Sequence, residues 1–407
     1  MDVMAKETKS WTVMVFMAGD NNMDPDGVTD LLEMKRVGST KDVNVIAQFD
    51  RAAGHAAKRY RLSKGGSVER DAVASLGAVN TGDPERLLEF IRWGIRNYPA
   101  ERFLLVLWNH GQGWDDTDIY AGERLRRYRR LTGRPIRHAL FHSPARRLLA
   151  GAARSAEYRA ILLDDNAKDF LDNREMKKVL DQTAKLLKRR LDVLGMDACL
   201  MSMAEVGYQV RRGAAFAVGS EQTEPMDGWP YHTILAALAK KPSLTPQELS
   251  ALIVAKYLAS YSRDSVTQSA CDLSKADALA AAVGKLAAVL RKALKNESAR
   301  QAVVAARMRS QTYDVPENID LVDFCELLAR EAAGSEIEAR CREVAGVVQG
   351  GYVSGHGCKG SDLKNSHGVA IYFPEQFLSP LYAKLDFSKK TKWGQFLKEY
   401  LAAVRGR

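Results

Sequence analysis

Residues 191–205, LDVLGMDACLMSMAE, decide how this chain is read. The first half is a short apolar run carrying Leu191, Val193, Leu194 and Met196, followed by Asp197-Ala198-Cys199. Then comes Ser202-Met203-Ala204-Glu205, which has the S-x-x-E form of a helix capping box. The pattern predicts a buried strand ending in a tight loop at Cys199, with a helix opening just beyond it. A thiol in that place feels the positive end of the helix dipole, which favours the nucleophilic thiolate. A small buried cysteine packing the strand end satisfies the same pattern, so Cys199 alone does not decide between chemistry and packing.

Moving outward, the same grammar repeats. Residues 11–18 (WTVMVFMA) form a continuous apolar run closed by Gly19-Asp20-Asn21-Asn22, a strand and its turn. Asp24-Pro25 opens a helix that ends near Gly38. Residues 43–49 and 59–62 read as two further strands. Asp83-Pro84 caps a helix with Leu87, Leu88, Ile91, Ile95 and Tyr98 on one face and Pro99 as its stop. Residues 103–108 (FLLVLW) are a fully apolar strand running into Asn109-His110-Gly111-Gln112-Gly113. A helix from Asn173 leads into the strand before Cys199, and residues 214–219 add another strand, closed by SEQTEPMDGWPY. Strands alternating with helices argue for an α/β fold with a mainly parallel sheet covered on both faces.

At 407 residues the chain exceeds the ~250–300 at which single cores stop growing, so two regions are expected. We place an α/β domain over 1–241, with an Arg-rich insertion at about 115–160. A helix-rich C-terminal region over 242–407 contributes strands near 266–271 and at 368–373 (GVAIYF). The net charge of +10 is local: residues 123–159 hold eleven Arg against two Glu, a surplus of nine. A nucleic-acid-binding face spread over the whole protein is thereby disfavoured. No run approaches the ~20 apolar residues that cross a bilayer, and MDVMAKETKS lacks the apolar core of a secretory signal. The expectation is a soluble, cytoplasmic protein without membrane contact, secretion remaining open for a trimmed N-terminus. Five cysteines, Cys199, Cys271, Cys325, Cys341 and Cys358, show no CxxC spacing and read as reduced thiols. Cys325 and Cys341 sit on apolar helical faces and are expected in the core.

In open parallel sheets ligands bind beyond the carboxyl ends of the strands. His110, Cys199 and Asp227 each follow the end of a separate expected strand, so one sheet edge can gather a base, a nucleophile and an anion. A cysteine nucleophile needs a histidine near in the fold to share its proton. Gly111, just after that histidine, lets its backbone N–H face a developing oxyanion, with the Cys199 N–H as second donor. For Asp227 a turn role in Met-Asp-Gly-Trp, and for Asp197 a capping role, are the alternatives.

Taken together, WTVMVFMAGDNNM (11–23), LLVLWNHGQGW (104–114), LDVLGMDACLMSMAEV (191–206), AVGSEQTEPMDGWPY (217–231) and GVAIYFP (368–374) resemble the clostripain family of cysteine peptidases, within the caspase-like clan. The resemblance implies a caspase-like α/β/α sandwich, a His110–Cys199 dyad and cleavage of peptides after Arg or Lys. It matches Asp197 and Asp227 to positions that make the S1 pocket acidic, which suits a cationic side chain leaving water. Similar proteins mature into two associated chains, so self-cleavage within residues 124–159 is expected. No cofactor is required by this chemistry. Some relatives depend on calcium, for which no site is assigned, and no third catalytic residue is identified. Oligomeric state is left open.

Two other classes compete. A catalytically silent relative would act as a binding protein, gripping RNA, DNA or anionic lipid through the Arg-rich segment, although few aromatics interleave it and no nucleic-acid motif accompanies it. A metal-dependent phosphohydrolase would gather Asp20, Asp50, Asp164 and Asp165 around Mg²⁺. His356-Gly357-Cys358 lies in a Gly-rich stretch and reads as a mobile loop.

Overall fold

The computed structural model describes residues 7–52, 54–117 and 161–405. Thirteen strands are β1 (Lys9–Gly19), β2 (Val43–Arg51), β3 (Ala57–Arg61), β4 (Ala72–Gly77), β5 (Ala100–Trp108), β6 (Ile161–Asp164), β7 (Asp169–Leu171), β8 (Leu191–Asp197), β9 (Ala214–Gly219), β10 (Val266–Asp272), β11 (Asn318–Asp320), β12 (Val353–Lys359) and β13 (Ala370–Tyr372). Nine of them form one sheet in the order β12-β10-β9-β8-β5-β1-β2-β3-β4. The centre, from β9 through β2, is parallel, while both margins run antiparallel.

The apolar runs become central strands because both of their faces are buried. On β1, Met14, Phe16 and Ala18 face one core, and Trp11, Val13, Val15 and Met17 face the other. The first core is closed by Leu87, Leu88 and Ile91 of the helix Pro84–Asn97 and by Met176, Val179 and Leu180 of the helix Asn173–Leu187. The second is closed by Leu31 and Met34 of the helix Asp24–Lys35, and by Leu249, Ile253 and Tyr257 of the helix Pro246–Ser260. This is the expected α/β/α sandwich. Each buried Leu or Val contributes about 1.5–3 kcal/mol, so a one-residue slip of β1, which exchanges its two faces, is strongly disfavoured.

Two local expectations are corrected. The capping box at Ser202 and Glu205 does not form: the helix Ala204–Val210 begins after Met203 with no side-chain cap. Ser202 Oγ instead lies 2.7 Å from Ser269 Oγ and donates to Gly368 O at 2.8 Å. Glu205 accepts from the Tyr382 hydroxyl at 2.6 Å and from the Tyr372 N–H at 3.0 Å. Tertiary partners from the C-terminal region take both side chains away from the helix end. Likewise, His356 and Cys358 lie in β12, paired with β10 at Ser269 and Thr267, and not in a mobile loop. A Cβ at Gly357 would stand 2.6 Å from Leu258 Cδ1, so a larger residue there would displace that side chain.

Beyond residue 241, β10 and β12 complete the main sheet, while β13, within the expected 368–373 strand, pairs with β11 in a separate two-stranded sheet. Cys325 and Cys341 are buried, as expected. The Arg-rich stretch at 124–159 and its expected self-cleavage lie outside the described residues. No helix among the described residues is long and apolar enough to cross a membrane.

Candidate active site

The carboxyl ends of β9, β8, β5 and β1 lie side by side, because these four strands are neighbours and parallel. Trp108 pairs with Asp197 at the ends of β5 and β8, and the Asn109 N–H donates to Asp197 O at 3.3 Å. His110 and Cys199 therefore leave neighbouring strands at matching heights. Their loops touch through backbone: a Cβ on Gly111 would stand 2.4 Å from Cys199 O and 3.0 Å from Ala198 Cβ. The cysteine loop is strained as well, with Leu200 held at a φ of +63° that non-glycine residues rarely adopt. Its N–H bonds Gln222 O at 3.2 Å.

The His110 ring is buried, and its Nε2 lies 2.8 Å from Asn22 Oδ1. An amide oxygen only accepts, so Nε2 carries hydrogen and Nδ1 becomes the basic nitrogen of the neutral ring. Asn22 comes from the turn after β1, which sequence reasoning took as turn chemistry. Asn109, beside the histidine, donates to Ala18 O and accepts from the Leu163 N–H at 2.9 Å. These bonds stitch the β5 end to β1 and β6.

Cys199 is only 6% exposed. Its Sγ accepts from the Glu224 N–H at 3.3 Å and donates to Glu224 O at 3.8 Å. Burial pushes the thiol up to about 12, and the Glu224 and Asp314 carboxylates add to the rise. The expected thiolate-favouring site is thus reversed in this conformation. The following helix starts only at Ala204, and the loop after β9 closes over the sulfur.

Behind the cysteine lies a buried acidic group. Asp197 Oδ2 accepts from the Tyr231 hydroxyl at 2.7 Å and from the Trp229 N–H at 3.4 Å. Burial raises its carboxyl to about 6. Glu224 is pushed well above its usual range by burial and by Asp197, and its Oε1 accepts from Gln268 Nε2 at 3.2 Å. Asp30 is raised in the same way by burial and then Asp197, while its Oδ2 accepts from Trp108 Nε1 at 2.6 Å. Asp227 is exposed beside this group; its neighbour Gly228, at a φ of +53°, brings the backbone to Asp197, where an added Cβ would lie 3.1 Å from Oδ1. Burial and the charge of Asp227 raise Asp26 nearby. Sequence reasoning named Asp197 and Asp227 as pocket candidates and did not name Glu224, Asp30 or Asp26. The one signal for Glu224 was its place in the loop closing β9.

Of the four acids considered for a metal, Asp20, Asp50 and Asp164 converge, with one carboxylate oxygen of each within 4.8 Å of the others. Asp165 gives its N–H to Asp20 O at 3.0 Å. The oxygen-only donor set suits a hard cation such as calcium.

The profile of the Clostripain family matches residues 15–126 and 150–400. Clostripain of Hathewaya histolytica is 27% identical over 226 residues, covering 50% of this chain but only 36% of that protein. The inactive zymogen C11 protease of Parabacteroides distasonis superposes with a TM-score of 0.63 at 20% identity, over 95% of this chain and 99% of that one. A secreted C11 cysteine protease of Bacteroides thetaiotaomicron, solved with an irreversible peptide inhibitor, gives 0.62 at 20% identity over 96% and 99%. At such identities the two structures establish a shared fold, and the profile, running through both the His110 and Cys199 segments, establishes descent: the chain belongs to the clostripain family.

Proposed function

We propose that this protein is a cysteine endopeptidase cleaving after Arg or Lys, with Cys199 as nucleophile and His110 as its proton partner. The observation that carries the reading is the placing of His110 and Cys199 on neighbouring strand ends, beside the Asp197–Glu224–Asp30 group. Substrate access requires the loop at Glu224 to lift from the sulfur, which re-solvates the thiol and lets it ionise toward His110.

In the reaction the Cys199 sulfur attacks the scissile carbonyl carbon, forming a C–S bond. The Gly111 and Cys199 N–H groups hold the oxyanion. The tetrahedral adduct collapses as the C–N bond breaks and His110 gives its proton to the leaving amine. His110 then takes a proton from water, which attacks the thioester and releases the acid, and the proton returns to the thiolate. Asn22 keeps the histidine in the tautomer these transfers need. A guanidinium or ammonium at P1 replaces the protons held among Asp197, Glu224 and Asp30, and those carboxyls ionise against it. Asp227 supplies charge at the mouth.

Self-processing within residues 124–159 follows from the same specificity, because that stretch offers eleven Arg. If a divalent cation is bound, Asp20, Asp50 and Asp164 would hold it, and it supplies fixed positive charge and no reacting group.

The test is hydrolysis of matched fluorogenic peptides with Arg, Lys, Asp or Leu at P1 by wild type and Cys199→Ala, with chain integrity followed on a denaturing gel. Cleavage after Arg and Lys that vanishes in the variant supports the reading. Turnover that survives Cys199→Ala, or that prefers Asp or Leu, overturns it.

A further inference from the structure

Asp20 follows β1, Asp50 stands near the end of β2, where it pairs with Ala18, and Asp164 ends β6. Two strands and a hairpin thus deliver three acids to one point, with their ligand oxygens mutually within 4.8 Å. Two oxygens each 2.3–2.6 Å from a calcium ion lie at most ~5 Å apart, so the spacing of the three is compatible with one shared ion. None of the three pairs with a Lys or Arg among the described residues.

Asp164 is fully buried and oriented by four donors. Its Oδ1 accepts from the N–H groups of Asn166 at 3.1 Å and Ala167 at 2.7 Å, and its Oδ2 from Thr81 N at 3.0 Å and Thr81 Oγ1 at 3.2 Å. Asp50 gives the independent sign of a ligand. It is 2% exposed, and its Oδ2 has no hydrogen-bond partner among the described residues. A buried carboxylate oxygen left without a partner costs free energy that a bound cation removes.

We infer that Asp20, Asp50 and Asp164 form a binding site for one divalent, oxygen-seeking cation of the calcium or magnesium class. The site sits one turn from the histidine. Asp20 opens the turn in which Asn21 Nδ2 donates to Leu163 O at 2.8 Å and Asn22 receives His110. Leu163, next to Asp164, also donates to Asn109. The cation therefore ties the hairpin that follows the Arg-rich segment to the turn that holds His110. This binding claim does not rest on the peptidase reading, since it is tested in a chain without the nucleophile.

The experiment uses the full chain carrying Cys199→Ala, stripped with EDTA and dialysed. CaCl₂ and MgCl₂ are titrated separately by calorimetry, and the melting temperature is followed against ion concentration. Binding of one ion per chain is expected for at least one of the two salts, with a Tm that climbs with concentration. Adding Asp50→Asn should weaken binding at least ~10-fold, because losing even an outer-shell partner costs about 10–100-fold in metal affinity. Asp20→Asn, at a partly exposed position, is the second variant should Asp50→Asn fail to fold. Neither heat nor a Tm shift with either salt overturns the inference. Binding unchanged in the folded variants overturns it equally, by placing the ion elsewhere.

Discussion

Asn22 Oδ1 and His110 Nε2 stand 2.8 Å apart, so an imidazole from the end of β5 is oriented by an amide from the end of β1. The pair crosses between adjacent strands, and no local sequence motif joins it. Asn22→Ala should lower kcat on Arg peptides by ~10–100-fold, a fraction of the ~10²–10⁴ that a positioned acid–base group supplies, with KM little changed. Asn22→Asp should move the acid limb of the kcat/KM profile to higher pH, because a carboxylate stabilises the imidazolium. A merely structural asparagine would leave that limb in place.

Gly111 has no room for a side chain. A methyl there would meet Cys199 O at 2.4 Å, and the obstacle is backbone, which does not swing aside. Gly111→Ala should push the histidine and cysteine loops apart and cut kcat by ~10²-fold or more, the scale of losing one oxyanion donor. Circular dichroism and urea unfolding check that the fold survives, and equal turnover by a folded Gly111→Ala would remove the proposed oxyanion pairing.

Asp197 and Asp227 should differ in weight. Asp197 is buried among Tyr231, Trp229 and Glu224, where a charge-assisted bond is worth about 1.5–3 kcal/mol; Asp227 is exposed, where a pair is worth about 0–1 kcal/mol. Asp197→Asn should therefore reduce kcat/KM for Arg peptides by ~10–150-fold, and Asp227→Asn by less than ~5-fold. Comparing Arg with citrulline at P1 reads the charge directly. An equal loss for both substrates would assign Asp197 to loop structure instead of the pocket.

The contrast between what was legible and what was not has a physical basis. The strands around 11–18, 103–108 and 191–197 are uniformly apolar because both faces of a central parallel strand are buried, and their carboxyl ends then locate His110 and Cys199. Ser202 and Glu205 misled because a capping box is a local signal, and distant partners, Gly368, Tyr372 and Tyr382, outcompeted it. Glu224 was illegible because its loop is aimed by β10: Thr267 Oγ1 accepts from the N–H groups of Glu221 and Gln222 at 2.9 and 3.0 Å. Asn22 was hidden among turn-forming neighbours, where an asparagine needs no further reason to be.

Glu205 yields a stability prediction separate from catalysis. It is buried with Oε2 unpartnered among the described residues, and burial raises its carboxyl to about 7 against an ordinary value of 4.5. The folded state thus holds this proton over a range where the unfolded chain releases it. Its contribution is complete below about pH 4.5 and is lost as pH rises through about 7. A shift of that size corresponds to about 3 kcal/mol, reached near pH 8. Glu205→Gln keeps an acceptor for Tyr382 and Tyr372 but cannot ionise. Urea unfolding of both chains at pH 5 and pH 8, in the Cys199→Ala background to prevent self-digestion, should show wild type losing about 2–3 kcal/mol more than the variant over that interval, since a small part of the effect is already lost at pH 5. The comparison of slopes is insensitive to any constant penalty from the new amide, and Asp197, raised to about 6, titrates alike in both chains. Parallel slopes would mean that Glu205 is already ionised in the folded protein, and that its hydroxyl and N–H donors outweigh its burial.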